Sequence, residues 1–249
     1  MMHSVDVVIG DVHARPDALH SLLREIGVID ASGRRRRSGW MVQVGDLLDR
    51  KADPEANLET AQLAAAALDV VLVGNHEWRM LQESDGGNGA ALATLASQGW
   101  PHAAASSDGW LVTHAGVHPD FAAELPADVA EAAAEINHRW HGGSKRRARD
   151  PLFASVGPAR GGTDAHGGIM WMHSEEWPKS RTTQWGQIAG HVPQPEPRLL
   201  PGPRWAIDIK APDRLAALVR PEGERRWRPV VVKARARRRD EQRAYALAG

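Results

Sequence analysis

The chain has 249 residues, of which 42% are hydrophobic and 25% are charged, and its 31 basic side chains balance its 31 acidic ones. These values are typical of a water-soluble globular protein. The sequence contains no cysteine, which excludes disulfides, thiolate metal sites and a cysteine nucleophile. It also contains no apolar run of about 18 residues and no signal-peptide pattern, so we expect a cytoplasmic protein without a membrane partner.

Basic residues cluster at positions 34–37, 145–149 and 233–239. We predict one domain over residues 1–233, followed by a basic tail at 234–249 that is either helical or disordered. Such runs are usually solvated surface. The tail could contact nucleic acid, although we do not expect that partner.

The first part of the chain alternates apolar runs with amphipathic stretches, which predicts strand-helix units. The predicted strands are residues 5–10, 40–45 and 69–74, and the predicted helices are residues 16–27 and 55–67. Each strand ends at a glycine that an acidic or amide residue follows. Because ligands bind outside the carboxyl ends of strands in open α/β sheets, these ends predict a binding site.

Later elements are a strand at residues 110–116 and a helix at 127–140. Residues 142–182, rich in glycine, proline, histidine and tryptophan, are expected to form long functional loops. A second sheet is predicted from four apolar runs, at residues 187–193, 204–209, 215–220 and 227–233.

Polar motifs stand at the predicted strand ends: 10-GDVH-13, 45-GDLLDR-50, 74-GNHE-77, 113-THAG-116 and 189-AGHVP-193. Together they supply carboxylate oxygens, an amide oxygen and imidazole nitrogens, a donor set that suits a pair of divalent metals. Two such ions can activate a hydroxide and stabilise an in-line displacement at phosphorus.

In this order, the motifs resemble the calcineurin-like metallophosphoesterase superfamily, and especially its phosphoprotein phosphatase branch. The resemblance spans Gly10 to Val192. It implies an α/β fold, a four-layer α/β/β/α sandwich of two mixed β-sheets flanked by helices. It also implies a dinuclear-metal-dependent phosphoester hydrolase in which a metal-bridging hydroxide attacks phosphorus.

The resemblance also implies metal ligands. They are Asp11 and His13 for the first ion, Asp46 as the bridge, and Asn75, His114 and His191 for the second ion. The ions are expected to be manganese, with iron or zinc as alternatives.

The resemblance makes His76 the general acid, oriented by Asp49, and gives Arg50 the role of gripping the phosphoryl oxygens. We interpret Glu77 as a supporting or helix-capping residue.

A second phosphate contact is expected between the last two metal motifs. We assign it to Arg160, with His173 and Arg181 as alternatives, because His173 stands where the related bacterial phosphatases have arginine. Pro193 replaces a histidine that many superfamily members use as a further ligand, which predicts an open, water-bearing position on the first ion.

The preferred function is a bacterial-type protein Ser/Thr phosphatase, whose partner is a phosphorylated protein. The alternative is a symmetrical dinucleoside tetraphosphatase or another nucleotide phosphohydrolase, since 113-THAGVHP-119 is close to the motif of that group. A third reading, in which the fold is only a scaffold for a basic nucleic-acid-binding module, conflicts with the complete ligand set.

Overall fold

The computed structural model describes residues 5–31, 33–83, 87–178 and 182–236. Its strands are Val5–Ile9 (β1), Met41–Gln43 (β2), Val70–Val71 (β3), Ala104–Ser107 (β4), Trp110–Thr113 (β5), Gly186–Ala189 (β6), Arg198–Leu200 (β7), Arg204–Ala206 (β8), Arg214–Pro221 (β9) and Arg228–Lys233 (β10). Its α-helices are Pro16–Glu25 (α1), Pro54–Ala67 (α2), Asn75–Gln82 (α3), Gly89–Ala96 (α4), Pro119–Ala122 (α5), Val129–His141 (α6), Ser144–Arg147 (α7) and Pro151–Ala154 (α8).

The strands form two five-stranded sheets, in the orders β10-β9-β1-β2-β3 and β4-β5-β6-β8-β7. In the first sheet β1, β2 and β3 run parallel, whereas β9 and β10 are antiparallel to their neighbours. In the second sheet β5, β6 and β8 run parallel between two antiparallel edge strands. Both sheets are therefore mixed, as predicted.

Alternate residues of β1 face different layers, because side chains alternate across a strand. Val7 and Ile9 are buried in a core that includes Leu19 of α1. Val8 is buried in a separate core together with Val112 of the second sheet. Since α6 packs against β4 and β5, helices cover the outer faces of both sheets, which confirms the predicted four-layer sandwich.

The assignment of residues 215–220 and 227–233 to the second sheet was wrong. These runs are β9 and β10, and they extend the first sheet: β9 pairs with β1, placing Leu218 opposite Val8. An apolar run identifies a strand, but it does not identify the neighbour, which depends on how the chain crosses between layers.

Several local features also differ from the predictions. Residues 142–182 contain the short helices α7 and α8 within their loops, and α4 and β4 had not been predicted. Residues 237–249, most of the predicted basic tail, lie outside the described residues. Among the described residues, every helix is too short or too polar to cross a membrane.

Candidate metal centre and active site

The carboxyl ends of strands from both sheets converge on one group of side chains, which we call the ligand cluster. It comprises the six predicted ligands Asp11, His13, Asp46, Asn75, His114 and His191. The backbone N–H of His191, after β6, donates to both carboxylate oxygens of Asp11, after β1, at 3.2 and 3.0 Å. The two sheets therefore meet at this cluster.

Several nitrogen and oxygen atoms that could bind a metal lie close to the imidazole of His114. Its Nδ1 lies 3.2 Å from the carbonyl oxygen of Val44, and a hydrogen bond there leaves the Nε2 lone pair free. That Nε2 lies 3.0 Å from Asn75 Oδ1, 3.0 Å from His191 Nδ1 and 3.6 Å from Asp46 Oδ2.

These spacings fit a bound cation. Two ligands at right angles around an ion with bonds of about 2.1 Å lie about 3 Å apart. Without an ion, the Nε2 lone pair of His114 would face the lone pairs of Asn75 Oδ1. The buried Nε2 of His191 also has no hydrogen-bond partner. The residues of this half of the cluster thus fit a metal ion.

Burial keeps the imidazoles of the cluster in the neutral form that binds metals. It lowers the pKa of His114, although Asp46 opposes this effect, and it lowers the pKa of His191 well below its ordinary value. Burial, reinforced by Asp208 and Asp46, raises the pKa of Asp11 well above its ordinary range. A cation would relieve this repulsion among carboxylates.

The other half of the cluster is looser. Nε2 of His13 lies 4.0 Å from Oδ2 of Asp46, and its buried Nδ1 has no hydrogen-bond partner. The imidazole is about one third exposed. One oxygen of Asp46 thus lies within 4.0 Å of an imidazole from each half of the cluster, which suits a bridging carboxylate.

Backbone strain is concentrated in the cluster. The φ angles of His13, Asp46 and His191 are 50°, 52° and 66°, in the left-handed region that residues with a Cβ rarely adopt. Each such conformation costs on the order of 1–3 kcal/mol and persists only where its surroundings enforce it. Close packing also requires two glycines, since a Cβ at Gly74 would collide with Asp46 and one at Gly190 with Asp11.

Glu77 holds the loop that carries Asp46. Its carboxylate is fully buried and accepts the backbone N–H groups of Asp46 and Gly74, both at 2.9 Å, and of Leu48 at 2.7 Å. Burial and the nearby Asp46 raise the pKa of Glu77 to about 8. The residue both caps α3 and connects that helix to the loop after β2, which is more than a capping role alone.

His76 lies beside the cluster on the first turn of α3. Its Nδ1 is 3.3 Å from Asp49 Oδ1, close but not aligned for a hydrogen bond, and its Nε2 is 4.0 Å from Asp46 Oδ2. Its backbone N–H donates to Asp46 Oδ1 at 2.9 Å. Catalytic hydrogen bonds are often long before a substrate binds, so this geometry suits an acid that Asp49 orients.

An open space of about 340 Å³, which we call the cleft, adjoins the cluster. The residues that line it are all polar or charged: Asp49, Arg50, Lys51, Asn75, His76 and Arg79. Arg50 Nη1 lies 2.6 Å from Oε1 of Glu83, at the end of α3. The cleft therefore brings Arg50 and His76 together, as the motifs predicted.

Two candidates for the second phosphate contact lie near His191. Nη2 of Arg160 donates to the His191 carbonyl oxygen at 3.0 Å. His173 is close enough to act electrostatically on the same imidazole, and it caps a 3₁₀ turn through Glu175. Arg181 lies outside the described residues.

Sequence reasoning missed two charged residues at the cluster. Asp208 is buried at the end of β8, where burial and Asp46 raise its pKa to about 6. Arg15 donates to the carbonyl oxygen of Asp11 at 2.9 Å and interacts with Asp208. The signal for Asp208 was present, because it is an acidic residue that interrupts the apolar run at residues 204–209.

A third group of possible ligands, His118, Asp120 and His166, lies outside the cluster. The two imidazoles stack with centroids 3.6 Å apart and planes only 16° from parallel. An ion bound by a histidine lies close to the plane of its ring, and two nearly parallel, separated planes cannot both contain one ion. We interpret this group as two histidines that share the carboxylate of Asp120, each at 3.4 Å.

Comparison with known proteins agrees with this geometry. The sequence profile of the family described as calcineurin-like phosphoesterase matches residues 7–223. Among curated proteins, none matches the chain significantly in sequence.

Similar solved structures are phosphatases. The chain resembles the cold-active protein-tyrosine phosphatase of a psychrophilic Shewanella species with a TM-score of 0.60 and 18% identity, over 94% of this chain and 81% of that one. Another structure of a cold-active protein tyrosine phosphatase gives 0.57 and 20%, over 88% and 74%. A proposed diadenosine tetraphosphatase gives 0.56 and 18%, over 94% and 95%. At these identities the likeness concerns the fold.

Proposed function

Because the chain belongs to the calcineurin-like phosphoesterase family, and is therefore a metal-dependent phosphoesterase, we propose that its substrates are phosphoserine and phosphothreonine side chains of proteins. The observation that carries this proposal is the cleft. It places Arg50 and His76 beside the ligand cluster in an open, polar space that a phosphorylated side chain can enter.

The ligand cluster would hold two divalent ions. Asn75, His114 and His191 would bind one, Asp11 and His13 the other, and Asp46 both. When bound, the ions activate water and offset the negative charge that develops at phosphorus. Three of the six ligands offer oxygen, and no thiolate is available. We therefore propose manganese, with iron and zinc as the other ions that this donor set accepts.

The side chains of the cleft would do the remaining chemistry. His76 donates a proton to the departing serine or threonine oxygen, and Asp49 orients the imidazole for that transfer. Arg50 binds the phosphoryl oxygens, for which its planar guanidinium is suited. To do so, Arg50 releases the carboxylate of Glu83 and binds the phosphoryl group of the substrate instead. Arg160, next to His191, is the proposed second contact.

The second candidate substrate is a symmetrical dinucleoside tetraphosphate, which the fold likeness to a proposed diadenosine tetraphosphatase supports. Against it, none of the described residues that line the cleft is a tryptophan, tyrosine or phenylalanine on which a base could stack. The named activity of the Shewanella relative makes phosphotyrosine a further substrate to compare.

The test is metal analysis of the purified protein combined with a substrate comparison. The panel contains phosphoserine, phosphothreonine and phosphotyrosine peptides, p-nitrophenyl phosphate and diadenosine tetraphosphate, each assayed with manganese, iron or zinc. We expect the highest kcat/KM for the phosphoserine or phosphothreonine peptide. Preferential cleavage of the dinucleotide would make the second candidate the function instead.

A further inference from the structure

The cleft contains more positive charge than binding one phosphoryl group requires. Three cationic side chains, Arg50, Lys51 and Arg79, line it together with a single carboxylate, Asp49. Lys51 and Arg79 are exposed, and among the described residues neither is paired with a carboxylate. The proposed chemistry of His76, Asp49 and Arg50 uses neither of them.

Both charges line the same cleft as His76, the proposed proton donor to the leaving group. Arg79 follows His76 by three residues on α3, a spacing that places two side chains on the same face of a helix. Its guanidinium lies 5.0 Å from the centre of the Trp171 ring, which supports it at that face. Lys51 directly follows Arg50, and its backbone N–H donates to Asp49 Oδ1 at 2.9 Å.

One carboxylate, that of Glu83, already lies beside Arg50. Glu83 pairs with Arg50 at 2.6 Å, although 58% of its side chain is exposed. The pair shows that an acidic side chain can contact the proposed phosphate-binding arginine from the solvent side. When a phosphoryl group takes Arg50, Lys51 and Arg79 remain for a second negative group.

From this arrangement we infer that Lys51 and Arg79 are specificity-determining residues, and that they select phosphopeptides with acidic side chains beside the phosphorylated residue. The inference rests on the proposed protein phosphatase function. A carboxylate is favoured over the second phosphate of a nucleotide, because among the described residues no tryptophan, tyrosine or phenylalanine lines the cleft to stack on the base that a nucleotide also carries.

The experiment compares two phosphoserine peptides that differ only in having glutamate or glutamine at the positions flanking phosphoserine. For the wild type we expect kcat/KM to be about 3- to 10-fold higher for the glutamate peptide, as two partly exposed ion pairs would give. The preference should decrease as ionic strength rises. In the variant K51Q/R79Q the ratio should fall to about one, and K51E/R79E should instead prefer a lysine-flanked peptide.

The matched control is K145Q/R146Q, which removes two positive charges from the exposed helix α7, outside the cleft. It should retain the wild-type preference, and metal content should confirm that every variant is folded. An unchanged preference in K51Q/R79Q would overturn the inference alone. If the wild type cleaved diadenosine tetraphosphate but neither peptide, both the inference and the proposed function would be overturned.

Discussion

The ligand cluster and the cleft share Asn75 but are constructed differently. Asp46 and His114 in the cluster are almost fully buried; the backbone N–H of His76 donates to the Asp46 carboxylate, and His114 Nδ1 lies against the carbonyl oxygen of Val44. In the cleft about a quarter of the His76 and Arg50 side chains is exposed, and side chains contact them. The cluster is thus organised before any ligand binds, whereas the cleft can adapt to a substrate. Substitutions should therefore abolish metal binding in the cluster and alter rates or selectivity in the cleft.

The largest effect is expected for Asp46→Asn, because Asp46 is the carboxylate between the two halves of the cluster. Loss of a residue that merely supports a metal ligand weakens metal binding about 10–100-fold, so loss of the bridge should exceed this. Metal analysis should find fewer than two ions per chain, and p-nitrophenyl phosphate hydrolysis should approach background. Asp120→Asn, in the outlying histidine group, is the control. Two ions retained by Asp46→Asn would contradict the bridging role.

For His76→Ala we expect retained metal but turnover lowered by about 10²–10⁴-fold, the usual contribution of a general acid. The loss should be greatest with phosphoserine, whose oxygen leaves poorly without a proton. It should be smaller with p-nitrophenyl phosphate, whose leaving group is already stable as an anion. His138→Ala, at an exposed position of α6, serves as the control. Equal losses with both substrates would remove His76 from this role.

Glu77→Gln probes the connection between the two regions. Glutamine has one side-chain oxygen that can accept hydrogen bonds, whereas glutamate has two. At least one of the three backbone N–H groups therefore loses its partner, which lowers the free energy of unfolding by about 1–3 kcal/mol. Because the Asp46 loop loosens, metal affinity should fall about 10–100-fold.

Glu176→Gln is a matched control for that variant. Glu176 also accepts three backbone N–H groups, those of Ala159, Gly167 and His173, but in the loops away from Asp46. It should lose stability while keeping its metal affinity. Similar metal affinities for both variants would mean that Glu77 is only a structural residue.

The same difference between regions explains what the sequence could predict. The cluster could be predicted because parallel strands end at one edge of a sheet, so the motifs had to meet there. Asp208 was missed because it lies inside the predicted strand at residues 204–209 and belongs to no recognised motif. The strand β4 was missed because its sequence, 104-AASS-107, has no β-branched or aromatic residue.

The cleft was harder to predict from sequence. Arg50 and His76 belong to recognisable motifs, but Arg79 does not. Its position on the same helix face as His76 is evident only once α3 is known to begin at Asn75. The pair between Arg50 and Glu83 joins residues 33 positions apart. The partner of an exposed charge depends on the path of the loops, which hydrophobic periodicity does not specify.

The smallest effect we expect is a pH dependence of the free energy of unfolding of the metal-free protein. Burial raises the pKa of Glu77 from 4.5 to about 8 and that of Asp208 from 3.8 to about 6. The folded state then binds more protons than the unfolded state between these values. The stabilisation is complete below the unfolded pKa and is lost as pH rises through the folded pKa.

Buried histidines oppose this trend at lower pH. Burial lowers the pKa of His13, His114 and His191, so they add stability as pH rises toward 6.5. Above about pH 7 the histidines are neutral in both states, which leaves a window near pH 7–8 where the raised pKa values of Glu77 and Asp11 set the trend. There the free energy of unfolding should fall by at most about 1.4 kcal/mol per pH unit for each group.

Denaturant titrations at pH 7, 8 and 9, with chelator or with manganese, measure this dependence. Bound ions favour the ionised carboxylates, so the decrease should be confined to the metal-free protein. Glu77→Gln removes one titrating group and should reduce the slope for the metal-free protein over the same range. An equal slope in metal-free Glu77→Gln would assign the decrease to another buried carboxyl such as Asp11, and an equal decrease with manganese bound would mean that the ions do not lower the pKa values of the buried carboxyl groups.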